Sequence, residues 1–339
     1  MSKISVIIPC FNAQDSIEAT LKSVMDQTYS DFDVIVVDDG STDSSIMKVW
    51  EMRELLNERN IVLHIISQKN SGVSAARNRG VQESTAQYIA FLDADDRWDC
   101  DKLTEHVAFM QDNPDVGISF ARVRLFNSAL DEEQKKATST ISSLPVGEQS
   151  LRSVFAENPT TTTSNLVVSR RVFDQVGGFN EQMSFAEDQE FIVRVLSQTQ
   201  NRVVGMESVL TDYHISIDGL SSDLMQMYKG WLQMVDSVKS YDAEFVAAEL
   251  DQAKALYCRY LARRSLRVNA DPALGCYFCW QSFRHDRSIF LREPLRTVPV
   301  VGLSLFRCLL PRSLGEHLMR WVNNALDNKM HMLTTVQSK

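Results

Sequence analysis

Three carboxylates close the segment Tyr88-Ile89-Ala90-Phe91-Leu92-Asp93-Ala94-Asp95-Asp96. The five residues before them read as a short buried strand. Carboxylates are seldom buried unpaired, because desolvating a charge costs several kcal/mol. A counter-charge is therefore expected where this strand ends. In an extended or turning segment, residues i and i+2 project to one side, so Asp93 and Asp95 can converge on one hard cation. Mg2+ or Mn2+ takes such oxygens together with water and phosphate oxygens. Asp96 reads instead as a cap for a helix beginning near residue 100.

Three other clusters have chemistry to offer. Asp38-Asp39-Gly40-Ser41 can direct a carboxylate at a ribose hydroxyl or a base N–H. Gly40 allows a tight turn there, and Ser41 or Asp43 would equally serve as a helix cap. Asn70-Ser71-Gly72-Val73-Ser74-Ala75-Ala76-Arg77-Asn78-Arg79-Gly80 opens a helix with small residues. Its free N–H groups, with Arg77 or Arg79, favour a phosphate. It is neither a dinucleotide fingerprint nor a Walker loop, which disfavours a dehydrogenase or an NTPase. Glu187-Asp188 starts a further helix. Acids there suit the helix dipole, and a carboxylate so held is also placed to act as a general base.

The elements that must position these residues alternate. Strands are expected at residues 3–8, 33–37, 61–66 and 88–92, with helices at 15–27, 44–59 and 73–84. That spacing predicts a parallel, doubly wound α/β sheet. In such sheets ligands sit at the carboxyl ends of the strands. The polar clusters at 9–12, 38–41, 68–72 and 93–96 all fall at those ends. Further on, residues 116–126 read as a pair of strands, 128–148 as a polar loop, 165–168 as a short strand and 186–197 as an amphipathic helix. After Tyr213 the pattern is mostly helical.

Composition sets the bounds. The chain has 339 residues, 44% hydrophobic and 23% charged, as expected of a globular protein of about two domains. The net charge of −9 is unevenly spread. Residues 252–339 hold 14 Lys/Arg and 5 Asp/Glu, a net +9, which leaves −18 for residues 1–251. The acidic body argues against nucleic acid as a partner and suits cation binding. Six cysteines are present; Cys276 and Cys279 have CxxC spacing, but no second pair or His pair completes a zinc site, so a structural role is expected for this motif. There is no signal-peptide pattern and no apolar run long enough to cross a bilayer, so a reducing cytoplasmic location is expected.

Taken together, Ile7-Ile8-Pro9-Cys10-Phe11-Asn12, Val36-Val37-Asp38-Asp39-Gly40-Ser41-Thr42-Asp43, the run from Asn70 to Gly80, Phe91-Leu92-Asp93-Ala94-Asp95-Asp96, and Gly177-Gly178-Phe179-Asn180 followed by Ala186-Glu187-Asp188 resemble the family 2 glycosyltransferases of GT-A fold. The resemblance spans about residues 3–215. It implies a GT-A catalytic domain over 1–215, with a donor half at about 1–100 and an acceptor half at about 101–215, and a helical C-terminal region over 216–339. It also implies inverting transfer of a sugar from a nucleotide-diphosphate donor, a UDP-sugar foremost, to a glycan or lipid-linked acceptor in cell-surface polysaccharide synthesis. Carried over residue by residue, Pro9 and Phe11 line the nucleoside pocket, Asp39 contacts the base, and Asp38 lies nearby. Asn70, Ser74, Arg77 and Ala94 border the nucleotide sugar. Asp93 binds ribose or metal, Asp95 binds Mn2+ or Mg2+, and His214 matches a position near the diphosphate and the metal. Asp188 becomes the general base, with Glu187 beside it.

The tail carries none of these motifs. Residues 256–268 place Arg259, Arg263, Arg264 and Arg267 on a basic helix. Residues 296–310 are apolar but broken by Pro299, Gly302 and Arg307. Such a tail either packs as a helical subdomain or lies on the anionic cytoplasmic face of a membrane. Two other functions compete. A catalytically silent sugar-nucleotide binder of the same fold would not need Asp39, Asp93, Asp95 and Asp188 intact. A nucleotidyltransferase would want a Gly-rich basic loop, which residues 9–15 lack.

Overall fold

The computed structural model describes residues 3–126, 140–142, 146–214, 223–268 and 270–310. The chain divides into two compact units. One comprises residues 1–127, 141–154 and 158–215; the other comprises 128–140, 155–157 and 216–339.

In the first unit the strands and helices alternate at the start: β1 Ile4–Cys10, α1 Ile17–Met25, β2 Phe32–Asp38, α2 Ser45–Glu58, β3 Val62–Ser67, α3 Val73–Glu83, β4 Tyr88–Phe91. Next come β5 Arg97–Trp98, α4 Lys102–Asp112, β6 Val116–Phe126, and short β7 Thr140–Ile141 and β8 Gly147–Glu148. Helix α5 Leu151–Ala156, whose last two residues belong to the second unit, β9 Val167–Ser169, α6 Arg170–Val176, α7 Glu187–Gln198 and β10 Arg202–His214 follow. The main path of the sheet runs β3-β2-β1-β4-β9-β6-β10-β5. Strands β1 to β4 are parallel to one another, with Ile4 beside Phe32 on one side and Tyr88 on the other. β9 runs antiparallel to both β4 and β6, while β6 and β10 are parallel.

β1, β2 and β4 are buried along nearly all of their length. This explains their apolar runs, since parallel strands covered on both faces need no polar alternation. Gly80 lets α3 lie close on the sheet, because a Cβ there would come within 2.5 Å of Ile7 Cγ2. The chain leaves β1 for β2 on one side, and β4 returns on the other. That makes the β1/β4 border the switch point, where doubly wound sheets open a crevice.

One expectation fails. Residues 116–126 form a single eleven-residue strand and not a pair. Arg122 and Arg124 lie within it and pair with Glu207 and Asp212 of β10 at 2.7 and 2.8 Å. The loop expected over 128–148 falls largely outside the described residues.

The second unit is helical: α8 Leu224–Tyr241, α9 Ala243–Arg267, α10 Pro272–His285, α11 Ile289–Arg292 and α12 Pro294–Leu309. Trp231 is fully buried, stacks on Tyr257 at 5.0 Å and donates from Nε1 to Phe155 O. Arg259, buried in α9, donates to Glu293 Oε2 at 2.8 Å. No described helix is long and apolar enough to cross a membrane.

Candidate active site

The polar clusters meet along the carboxyl edge of β1 to β4. At the end of β2, Asp38 Oδ1 accepts from Ser41 N at 3.0 Å. Asp39 works on the neighbouring loop. Its Oδ1 accepts from Gln68 Nε2 and Ser71 N, and its Oδ2 accepts from Gly72 N, all within 2.9 Å. Gly40, at φ +78°, lies so close to the same loop that a Cβ would stand 3.0 Å from Asn70 N. Asp39 thereby clamps the loop that launches α3. Asn70 sits exposed on that loop, and Ser74 is buried one turn on, its hydroxyl 3.5 Å from Met183 O.

The loop after β1 is tied to the same edge. Asn12 accepts from Thr42 N and donates its own N–H to Ser41 Oγ, while Ala13 N donates to Ser45 Oγ. Asp43 Oδ1 accepts from Ser45 N, but the N-cap of α2 is Ser44, so neither Ser41 nor Asp43 takes the cap position expected. Pro9 is buried at the end of β1, and the ring of Phe11 beyond it is half exposed.

Arg77 is the hub. It is buried in α3; Nη2 donates to Asp93 Oδ1 at 2.7 Å and Nη1 to Glu187 Oε1 at 2.8 Å. Its guanidinium lies over the Phe179 ring at 5.5 Å. Burial opposes the charge, but Asp93 and Glu187 outweigh it and hold the pKa above the ordinary arginine value. Arg77 therefore joins the acids after β4 to the start of α7. Its Nε is buried with no hydrogen-bond partner.

The turn after β4 is held from several sides. Asp93 N donates to Ser164 Oγ, and Ala94 O and Asp96 O both accept from Thr20 Oγ1. Asp95 is half exposed, with Oδ2 3.5 Å from His214 Nδ1. Asp96 departs from expectation. Helix α4 begins at Lys102, after Asp101, so Asp96 caps nothing. Its side chain is fully buried, accepting from His214 N at 2.8 Å and Thr162 Oγ1 at 3.3 Å. Burial, then Asp95 and Asp93, push its pKa well above the carboxylate range. It ties the acidic turn to the end of β10.

Asp188 occupies the first turn of α7. The residue before the pair, Ala186, takes a left-handed φ of +58°, rare for a side chain with a Cβ, and so turns the chain abruptly into the helix. Asp188 is 9% exposed. Asn158 Nδ2 donates to its Oδ2 and Gln189 N to its Oδ1, both at 2.7 Å. Burial, then the charge of Glu187, push its pKa up to about 6, against the pull of Asn158, Gln189 and Arg77. A carboxylate poised there can take a proton from a hydroxyl near neutral pH.

The donor set offers a divalent ion few protein oxygens. Asp93 keeps one oxygen on Arg77, and Asp95 and His214 stand together at the rim. Among the described residues the one three-ligand cluster is the exposed set Asp99, Cys100 and Asp101, which includes neither Asp93 nor Asp95. The site is thus no closed protein cage. One or two carboxylates facing solvent fit an ion that brings phosphate oxygens and water for its remaining positions. Asp95, with Asp93 and His214, would hold it, and the ion would offset charge on a departing diphosphate.

Asn158 and Ser164 escape sequence reasoning. Asn158-Pro159-Thr160 does signal a local turn, and Asn158 Oδ1 indeed accepts from Thr160 N and Oγ1. Its bond to a carboxylate thirty residues on carries no sequence signal. A second hidden group is Lys102, pushed down to about 7 by burial. Its Nζ contacts Asn165 O and Thr211 Oγ1, and His106 alongside it meets Ser119 Oγ at 2.6 Å.

This sheet, its switch point and its acid-lined edge define the GT-A glycosyltransferase fold. Residues 5–177 match the family described as "Glycosyl transferase family 2", and the chain belongs to that family. Over 109 residues it is 40% identical to the putative teichuronic acid biosynthesis glycosyltransferase TuaG of Bacillus subtilis, covering 32% of this chain and 42% of that protein. Over 111 residues it is 34% identical to WfaP of Escherichia coli, a UDP-Glc:alpha-D-GlcNAc-diphosphoundecaprenol beta-1,3-glucosyltransferase, covering 33% and 42%. The matched part thus spans less than half the length of these relatives. Among solved structures it resembles Staphylococcus aureus TarS 1-349 in complex with UDP-GlcNAc (TM-score 0.58, 18% identity, 89% of this chain and 90% of that one). It also resembles the mannosyltransferase PcManGT of Pyrobaculum calidifontis in complex with GDP-Man and Mn2+ (TM-score 0.54, 17% identity, 90% and 85%).

Proposed function

We propose that the chain is an inverting glycosyltransferase. It moves a hexosyl group from a nucleotide-diphosphate sugar, a UDP-sugar foremost, to a hydroxyl of a glycan or lipid-linked acceptor of a cell-surface polysaccharide. Residues 1–215 form the catalytic domain, with the donor bound largely by residues 1–100 and the acceptor by 101–215. The work is done in the cytoplasm, at the membrane face where lipid-linked acceptors lie.

The observation that carries this reading is the Asp93–Arg77–Glu187 bridge, with the buried Asp188 next in sequence. It links the acids of the donor edge to a carboxylate whose pKa of about 6 suits a general base. Pro9, Phe11, Asp38, Asp39, Asn70, Ser74 and Ala94 border the nucleotide, and Asp93 meets the ribose or the metal. Asp95, with Asp93 and His214, would hold Mn2+ or Mg2+, which would supply positive charge to offset that of the diphosphate. Asp188 takes the proton of the acceptor hydroxyl as it attacks the far side of the anomeric carbon, so no covalent intermediate is needed. Glu187 keeps Arg77 in place and the local field negative. The relative that uses UDP-Glc and a diphosphoundecaprenol acceptor, and the neighbour bound to Mn2+, support the donor, acceptor and metal readings. A catalytically silent binder would gain nothing from a buried carboxylate held above its ordinary pKa.

The test is a panel of UDP-, GDP- and dTDP-sugars with Mn2+, reading release of the nucleoside diphosphate and, by NMR, the anomeric configuration of the product. Release from one donor with inversion is expected. Pyrophosphate as product would make the chain a nucleotidyltransferase. Donor binding without release, across donors and acceptors, would make it a silent binder.

A further inference from the structure

Helix α12, Pro294–Leu309, reverses the usual partition of a surface helix. The row turned into the second unit is Thr297, Val300, Ser304 and Arg307, three of them polar. These side chains dock by hydrogen bonds: Arg259 Nη1 donates to Thr297 Oγ1, and Arg307 Nη1 donates to Ser265 O, both at 3.3 Å. The opposite row is apolar and exposed. Leu295, Val298, Leu305, Phe306 and Leu309 all face out, Leu295 being 90% and Leu309 83% exposed. At 100° per residue they fall in one stripe about a third of the helix circumference wide, with Gly302 between them. The stripe runs about 21 Å along the axis and holds no charge. Exposed apolar stripes of this length mark interaction sites on soluble domains.

The neighbouring helix continues the character. Cys276 Sγ of α10 lies 3.0 Å from Cys308 Sγ of α12, so the two helices lie side by side. Trp280 and Phe283 are exposed on α10, with Arg284 over the Trp280 ring at 5.3 Å and Arg287 over the Phe283 ring at 5.2 Å. Residues 272–309 contain five arginines against two acids. Arginines paired with aromatic rings beside an apolar stripe match the border between acyl chains and anionic headgroups. A second copy docking through the same face would set these arginines against each other in an isologous pair.

We propose that the α12 stripe, flanked by the aromatic-arginine pairs of α10, docks the chain flat on a bilayer with anionic headgroups. Leu295, Leu305, Phe306 and Leu309 enter the acyl boundary, while Arg284, Arg287 and Arg296 meet phosphate. The helix lies in the interface and does not span it. This deepens the reading of a lipid-linked acceptor, and rests on it for its purpose only.

The full chain would be co-sedimented with vesicles of phosphatidylcholine alone and of an equal mixture with phosphatidylglycerol. Binding to the mixed vesicles is expected, weakened by salt. The exposed double variant Leu305→Ser/Phe306→Ser should lower the partition roughly tenfold or more, and Arg296→Glu several-fold on the anionic vesicles alone. Circular dichroism melts would show each variant folded. Absence of sedimentation with either vesicle, or equal partition of parent and double variant, overturns the proposal. So does a dimer in analytical ultracentrifugation that the double variant dissociates, because the stripe would then belong to a second copy. Donor turnover on a water-soluble acceptor is measured separately, so failure of sugar transfer and failure of docking give different results.

Discussion

Replacing Asp188 by asparagine separates two demands on one carboxylate. Burial, then Glu187, raise its pKa from 3.8 to about 6. The folded chain therefore holds this proton more tightly than the unfolded chain does. The stability it contributes is fully present below about pH 4 and is lost as pH rises through about 6. At about 1.4 kcal/mol per unit, the ionised side chain costs on the order of 3 kcal/mol above that range. Asparagine removes the charge but offers one acceptor oxygen where Asp188 uses two, for Asn158 Nδ2 and Gln189 N. Leaving one donor unpaired costs about 1 kcal/mol or more. The variant should thus be more stable than the parent by about 1–2 kcal/mol at pH 8, and slightly less stable at pH 4. Thermal melts of both proteins across this range read the difference as a few degrees in Tm that changes sign. In parallel, transfer at pH 8 should fall about 10²- to 10⁴-fold with donor binding retained. A variant less stable at pH 8, or a difference that does not vary with pH, would refute the electrostatic account. Unchanged turnover would remove Asp188 as the base.

Asn158→Ala removes a hydrogen bond that favours the ionised Asp188, so the acid limb of the pH–rate profile should move to higher pH by about half a unit to one unit; a limb that stays or moves down contradicts this placement. Arg77→Ala leaves Asp93 and Glu187 without their shared cation. Because Asp93 is about a quarter exposed, the loss should be on the order of 2–3 kcal/mol, below that for a fully buried pair, as read by urea unfolding; a loss near zero would deny Arg77 its bridging role. EDTA should abolish transfer and Mn2+ or Mg2+ restore it, whereas full activity in EDTA would remove the metal from the proposal.

The parallel core was legible because its physics is local. Strands covered on both faces must be apolar throughout, and the turns between them need Gly40, Gly72 or small polar residues, so β1 to β4 and their loops could be read directly. The strand β6, expected as a pair of strands, carries Arg122 and Arg124 along its length. They are tolerated there because Glu207 and Asp212 answer them from β10, more than eighty residues on. Asn158 was invisible for the same reason: its local turn is written in the sequence, but its bond to Asp188 depends on the tertiary fold. Helix α12 was legible only as an apolar stretch broken by Pro299, Gly302 and Arg307; which face turned inward was decided by hydrogen bonds to Arg259 and Ser265.

The acids after β4 pose an electrostatic problem in the sequence, and the fold answers it separately for each. Asp93 is met by Arg77 at 2.7 Å, a cation supplied by the chain itself. Asp96 is buried beside its fellow acids, and burial, then Asp95 and Asp93, favour its neutral form against the pull of the hydrogen bond from His214 N. Asp95 remains half exposed, with His214 at 3.5 Å. A single unspent carboxylate at the rim is a weak site for a lone divalent ion, but it becomes a strong one when a diphosphate supplies further oxygens. Metal affinity should therefore depend on the nucleotide. Mn2+ titrated by isothermal calorimetry should bind at least about tenfold more tightly with UDP present than without, since the phosphate oxygens complete its shell. Equal affinity in the two titrations would mean that Asp93 lets go of Arg77 to build a protein-only site, and the division of labour among the three acids would be wrong.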